Sequence, residues 1–211
     1  MVTSGSTRAY IDRIRYIANT SSGALGARIV ETLIEADIPV IHIYGEGSRQ
    51  PTVHNSHLLE SVKVTTVDHV ITSVKSACKG GNISAVVHAM AVLDYVPETS
   101  IETKKTSDEE FWDVRLVRTP KIISIIRDII PDVFTIGFKL EAGVEHDELL
   151  KRAGVLLQKY GLDVVVANDL EKVSDERHEA VFIGTGNKII GCAETKEDIA
   201  RKITDFIIKH M

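Results

Sequence analysis

The feature that most constrains this chain is an alternation. Short apolar, β-branched runs take turns with longer segments of helical period, an order that folds as an α/β sheet of mainly parallel strands. Val2-Thr3 is a very short first strand, and residues 24–36 carry Leu25, Ile29, Leu33 and Ile34 at near-helical spacing. Ile38 to Tyr44 reads as a buried strand ended by Gly45 and Gly47. Val62 to Val67 is a further strand, and Asp68 to Lys79 a helix stopped by Gly80 and Gly81. Ile83 to Val92 is the central strand. The texture then changes: residues 98–110 are polar, charged and without period, long enough to form a mobile loop. Val114 to Val117 reads as a strand, Pro120 to Ile130 as a helix with proline near its first turn, and Phe134 to Phe138 as a strand. A helix from His146 to Tyr160 ends at Gly161, and residues 162–169 form the next strand. Residues 180–183 and 188–192 form a hairpin about G-T-G-N, before an amphipathic helix from Lys196 to Lys209. The expected fold class is α/β: a Rossmann-like, mainly parallel sheet flanked by helices, with a β-hairpin extension, in one domain covering 1–211.

In such a sheet, ligands bind outside the carboxyl ends of the strands. The polar motifs fall there: S4-G-S-T7 after the first strand, L93-D-Y95 after the central one, and G137-F138 and A167-N-D169 after later ones. Composition narrows the ligand. The formal net charge is -5 and no basic stripe is present, which argues against a nucleic-acid partner. No apolar run is long enough to cross a membrane. Two cysteines, Cys78 and Cys192, stand far apart without metal or redox spacing, which suits free thiols and a cytoplasmic setting. No metal site is expected, and His54 with His57 reads as loop surface.

A strand, a glycine loop and a helix suggest nucleotide binding, but neither G-x-G-x-x-G nor G-x-x-x-x-G-K-[ST] is present. In a dinucleotide fold the glycine loop feeds the helix directly. Here a long insertion intervenes, bringing Arg8, Asp12, Arg15 and Asn19. Ser21, Ser22 and Gly23 then open the helix with hydroxyls and free N–H groups, a good anion site. Asp94 is either a turn cap or an acceptor for a ribose hydroxyl or base amine. A lysine in the 98–110 loop could close over a bound polyphosphate.

These blocks match one family in order. V2-T-S-G-S-T-R8 and I14-R-Y-I-A-N-T-S-S-G-A-L-G26 resemble the opening of phosphopantothenoylcysteine synthetase, the phosphopantothenate–cysteine ligase of coenzyme A synthesis. H88-A-M-A-V-L-D-Y95, K104-K-T-S107, V117-R-T-P-K121, I136-G-F-K-L140 and L162-D-V-V-V-A-N-D169 continue it. With no flavin-binding decarboxylase domain in the chain, the resemblance is to the stand-alone bacterial form. It implies a ligase that joins 4'-phosphopantothenate to L-cysteine through an acyl-nucleotide intermediate. CTP is the expected co-substrate ahead of ATP, Mg2+ accompanies it, and the enzyme is a homodimer whose sites are completed across the interface. Residues 98–118 and the 180–192 hairpin are the natural places for extra subunit contacts.

By the same resemblance, Asn19 matches the catalytic asparagine, Arg15 the arginine four residues earlier, and Lys104 the flap lysine over the nucleotide. The nucleotide-contacting blocks fall on Gly5, Ser6 and Thr7, on Ser21, Ser22 and Gly23, on Ala89, Met90 and Asp94, on Val117, Arg118, Thr119 and Pro120, and on Phe138 and Lys159. The sequence departs from the family at Gly5-Ser6, where a glycine pair is common, at Met90, where alanine is common, and at Val155, where a second lysine would stand. The flap reads K-T-S after Lys104, so Lys105 is the alternative flap lysine. Two rival readings are an NAD(P)-dependent reductase and a nucleotide-binding relative that has lost its chemistry. The missing glycine fingerprint and the lack of a Tyr-x-x-x-Lys pair disfavour the first, and the retained Asn19, Asp94 and Lys104 disfavour the second.

Overall fold

A computed structural model of the chain describes residues 1–53, 56–174 and 177–211. Its elements are β1 (Val2–Ser4), β2 (Arg8–Tyr10), β3 (Tyr16–Ala18), α1 (Ala24–Glu35), β4 (Val40–Gly45), β5 (Leu59–Val64), α2 (Val67–Lys79), β6 (Ala85–His88) and β7 (Tyr95–Pro97). They continue with β8 (Leu116–Arg118), α3 (Ile122–Ile129), β9 (Phe134–Glu141), α4 (His146–Tyr160), β10 (Val164–Asp169), β11 (Ala180–Gly184), β12 (Lys188–Ala193) and α5 (Lys196–His210). The main sheet has eight strands in the order β12-β11-β10-β9-β6-β1-β4-β5. Strands β5, β4, β1, β6, β9 and β10 are mutually parallel, and β11 and β12 extend the sheet as an antiparallel hairpin. Counted along the chain, the parallel strands lie in the doubly wound dinucleotide-fold order, which reverses between β1 and β6 and opens a crevice there.

A sheet covered on both faces must be apolar on both. β10 shows how one run achieves this: Val164 and Val166 join one buried cluster while Val165 and Ala167 join another. The first cluster lies under α1 and α5, with Ile29, Leu33, Ile199 and Ile203; the second lies under α2, α3 and α4, with Val70, Ile126 and Leu157. Helix α1 approaches β1 closely because Gly26 faces Ser4: a Cβ at Gly26 would fall 2.1 Å from Ser4 Cβ.

The expected alternation is observed, with differences that have local causes. β5 ends three residues earlier than the apolar pattern suggests, because Thr66 caps α2, its hydroxyl accepting from His69 N at 3.3 Å. The central strand stops at His88, and β9 runs on to Glu141 because Lys139 to Glu141 pair with Ala167 to Asp169 of β10. Phe138 is therefore inside a strand and not at its end. Two antiparallel hairpins, β2–β3 and β7–β8, escaped the sequence reading, since three-residue strands carry no legible period. Residues 98–115 link β7 to β8 without helix or strand. His57 is exposed in a short 3-10 turn, while His54 lies outside the described residues. Cys78 and Cys192 are both free thiols. Among the described residues no helix is long and apolar enough to cross a membrane.

Candidate active site

The crevice between β1 and β6 is lined by backbone that has left the sheet. Beyond Ser4 the chain turns through Gly5, whose φ of 78° is left-handed and unfavourable to any residue with a Cβ. Space also demands glycine there, since a Cβ at Gly5 would lie 1.8 Å from Ser48 Oγ. Ser48 belongs to the loop after β4, which folds over both glycine turns: Arg49 N donates to Ser22 O at 2.8 Å. The expected serine cap of α1 takes a different form. Gly23 is the N-cap in a left-handed conformation (φ 71°), without a side-chain cap bond, and Ser22 Oγ accepts from Ala24 N at 3.3 Å. Ser21, Ser22 and Gly23 thus stand beside Gly5 as a run of turn backbone at a helix N-terminus, suited to phosphate oxygens.

Opposite lies the segment after β6. Ala91 N donates to Gly5 O at 2.8 Å, and Ser6 bridges Ala91 in parallel fashion, so the two loops leave the sheet together. Two buried threonines then grip one residue of this segment. Thr7 Oγ1 accepts from Leu93 N at 3.0 Å, and Thr119 Oγ1 donates to Leu93 O at 2.7 Å. Thr119 N also donates to Asp94 O at 2.9 Å. Thr7 and Thr119 therefore both hold Leu93 in the crevice wall. The Met90 side chain is buried in the core under α2 and α3.

Asp94 is exposed and paired with Lys121, whose Nζ lies 2.5 Å from Oδ1. Val117, Arg118, Thr119 and Pro120 arrive beside it through the β7–β8 pairing of Tyr95 with Arg118. His88, at the end of β6, shares a 2.7 Å hydrogen bond with Thr3 Oγ1 through Nδ1. Burial, and secondarily the Lys121 charge, push its pKa down to about 4, so it is neutral at pH 7.

The β2–β3 hairpin projects over this wall. Asn19, just past β3, donates from Nδ2 to Ala91 O and Val92 O at 3.3 Å each. Arg15 lies across the turn, bonded to Lys105 O at 2.8 Å and stacked 5.0 Å over Trp112. Lys104 is exposed, whereas Lys105 is half-buried and paired with Glu109 at 2.7 Å. Phe138 is half-buried on β9, one residue beyond the His88–Gly137 pair, so it flanks the crevice from the next strand.

The structure thus brings together the glycine turn, the start of α1, the 89–94 segment, the 117–120 block, Asn19 and Phe138. Lys159 it does not. That lysine lies on the last turn of α4, which delivers the chain to the N-terminal end of β10, whereas the other residues gather at the carboxyl ends of the strands. Two further side chains, both within segments named from the sequence but given no role there, take part in this arrangement. Lys121 closes the 117–121 block, and its pairing with Asp94, 27 residues away in sequence, comes only from the fold. Asp12, in D-R-I-R, makes an Asx turn by accepting from Ile14 N and Arg15 N, a pattern visible only as an acidic residue in a turn. Among the described residues no three His, Cys, Asp or Glu side chains gather as a metal site.

Similar proteins carry the same architecture. A structure of a DNA/pantothenate metabolism flavoprotein from Streptococcus pneumoniae superposes with a TM-score of 0.90 at 30% identity, covering 100% of this chain and 98% of the other. The coenzyme A biosynthesis bifunctional protein CoaBC of Thermococcus kodakarensis is 34% identical over 99% of this chain and 50% of its own length. Phosphopantothenate–cysteine ligase 2 of Oryza sativa subsp. japonica is 28% identical over 99% of this chain and 78% of its own. The chain thus spans about half the length of the bifunctional relatives it matches. The family model for the DNA/pantothenate metabolism flavoprotein C-terminal domain matches residues 1–211, and the chain belongs to that family.

Proposed function

We propose that this protein is a phosphopantothenate–cysteine ligase. The observation that carries the reading is the convergence of Asn19 on the carbonyls of Ala91 and Val92, in a crevice walled by Gly5, Gly23 and Asp94. Relatives named for this reaction, and for coenzyme A biosynthesis, support it.

In the proposed reaction, a carboxylate oxygen of 4'-phosphopantothenate attacks the α-phosphorus of CTP, or less favourably ATP. The bond to the bridging oxygen breaks and pyrophosphate leaves. The cysteine amine then attacks the acyl carbon, the nucleoside monophosphate departs with its oxygen, and the amine proton passes to solvent. Activation is needed because a carboxylate is a poor acyl donor. The triphosphate enters as its Mg2+ complex, in which phosphate oxygens and water supply most of the ligands. Gly5, Ser22 and Gly23 present turn backbone to the phosphates, Asp94 takes a sugar or base donor, and Lys104 neutralises charge as pyrophosphate forms. Asn19 holds the acyl intermediate for attack.

A homodimer fits the surface. Ile14, Tyr16, Tyr95, Phe111 and Leu116 are large apolar residues left exposed on the two hairpins and the loop between β7 and β8, and Ile189 and Ile190 are exposed on β12.

Pyrophosphate release tests the reading. Release from CTP that requires 4'-phosphopantothenate, followed by amide formation on adding L-cysteine, is the expected result. Nucleotide binding without release would instead favour an inactive relative.

A further inference from the structure

Asp12 lies at the tip of a surface hairpin, yet its side chain is 0% exposed. Oδ1 accepts from Ile14 N at 2.8 Å and Arg15 N at 2.7 Å, which completes the turn. Oδ2 does something the turn does not require. It accepts from Lys105 N at 3.2 Å, a residue 93 positions away, and lies 3.4 Å from Arg15 Nε. Arg15 then grips the same flap residue from the other side, through Lys105 O, and covers Trp112. A third tie runs from Ile101 N to Ile11 O at 3.1 Å. The 98–115 loop is thus fastened to the β2–β3 turn at residues 101, 105 and 112, with Lys104 next to the middle point. Desolvation would raise the Asp12 carboxyl, but the three backbone N–H groups and the Arg15 charge outweigh it and hold it below its ordinary range. Asp12 is therefore an anion at neutral pH. The same hairpin, in its Arg8–Ala18 and Tyr10–Tyr16 register, carries Asn19 at its far end.

We propose that Asp12 is a positioning residue that fastens the flap through Lys105 N and Arg15, and so fixes the reach of Lys104 relative to Asn19. The role of Lys104 rests on the ligase reading; the clamp itself does not.

Trp112 is the only tryptophan, which makes its fluorescence a reporter of the flap. Acrylamide quenching of the full chain without ligands would be compared in the parent protein, Asp12→Asn, Lys105→Pro and Lys105→Ala. Lys105→Pro removes the N–H from which Asp12 accepts, in a loop without helix or strand, and Lys105→Ala keeps that N–H. The clamp predicts quenching constants raised about twofold in Asp12→Asn and Lys105→Pro, with Lys105→Ala near the parent. Equal quenching in Lys105→Pro and Lys105→Ala would overturn it, even if Asp12→Asn does not fold. In steady-state pyrophosphate release with CTP, 4'-phosphopantothenate and L-cysteine, the two clamp variants should lose about tenfold or more in kcat, with KM for 4'-phosphopantothenate nearly unchanged. Unchanged kcat with a freed Trp112 would overturn the positioning role. A parent protein that releases no pyrophosphate would sink the ligase reading, while the quenching result would still decide the clamp.

Discussion

Lys121 Nζ and Asp94 Oδ1 form an ion pair that ties the residue before α3 to the segment leaving β6. Both side chains are substantially exposed, so the pair contributes little to stability, about 0–1 kcal/mol. On the proposed ligase reading, the pair aims the Asp94 carboxylate at the nucleotide. Asp94→Asn should weaken nucleotide binding about tenfold by calorimetry, roughly the loss of one charge-assisted hydrogen bond. The melting temperature should hardly move. A nucleotide affinity equal to the parent's would remove Asp94 from the binding site.

Asn19→Asp separates the two half-reactions. Asparagine donates to the carbonyls of Ala91 and Val92, and an aspartate cannot. Pyrophosphate should still appear when 4'-phosphopantothenate and CTP are supplied, while amide formation slows about a hundredfold. Quench-flow measurement of both products checks this, and parental ligation rates would rule out the role.

The flap lysines differ in their surroundings. Lys105 is engaged by Glu109, while Lys104 is exposed. Lys104→Gln should therefore slow acyl-nucleotide formation about ten- to a hundredfold, and Lys105→Gln much less. The reverse order of defects would move the catalytic role to Lys105.

Thr119→Val tests the wall of the crevice. It leaves the Leu93 carbonyl without the 2.7 Å bond from the threonine hydroxyl, at a cost of about 1–3 kcal/mol. Urea unfolding should show a lower midpoint with an unchanged slope.

Stability should also depend on pH through buried histidines. His42, His88 and His178 all have pKa values pushed down by burial, from 6.5 to about 4. The unfolded chain then binds more protons than the folded one between those values, so stability rises with pH across that window. The urea midpoint should fall as the pH drops from 6.5 towards 4. His42 is fully buried and shares a 2.7 Å bond with Ser4 Oγ, so His42→Leu should lower stability at neutral pH yet flatten part of the slope. A slope identical to the parent's would mean that His42 does not titrate in this range.

The sequence by itself determined the architecture. Each long apolar run has one way to hide both faces, so the alternation from Val2 to His210 already implied a parallel sheet between helices, and the limits of α4 were legible to the residue. The order of motifs also sufficed to name the family. Tertiary structure decided what side-chain letters cannot carry. Whether Met90 meets the ligand or the core depends on which way the chain turns after His88, and the core takes it. Whether Thr119 is a ligand or a support depends on a carbonyl 26 residues away. Lys159 matched by position in the chain and lies at the opposite end of the sheet, because a helix fifteen residues long carries its last turn far from its first. Asp12, an ordinary turn residue by spacing, meets Lys105 N only because the 98–115 loop folds back upon it.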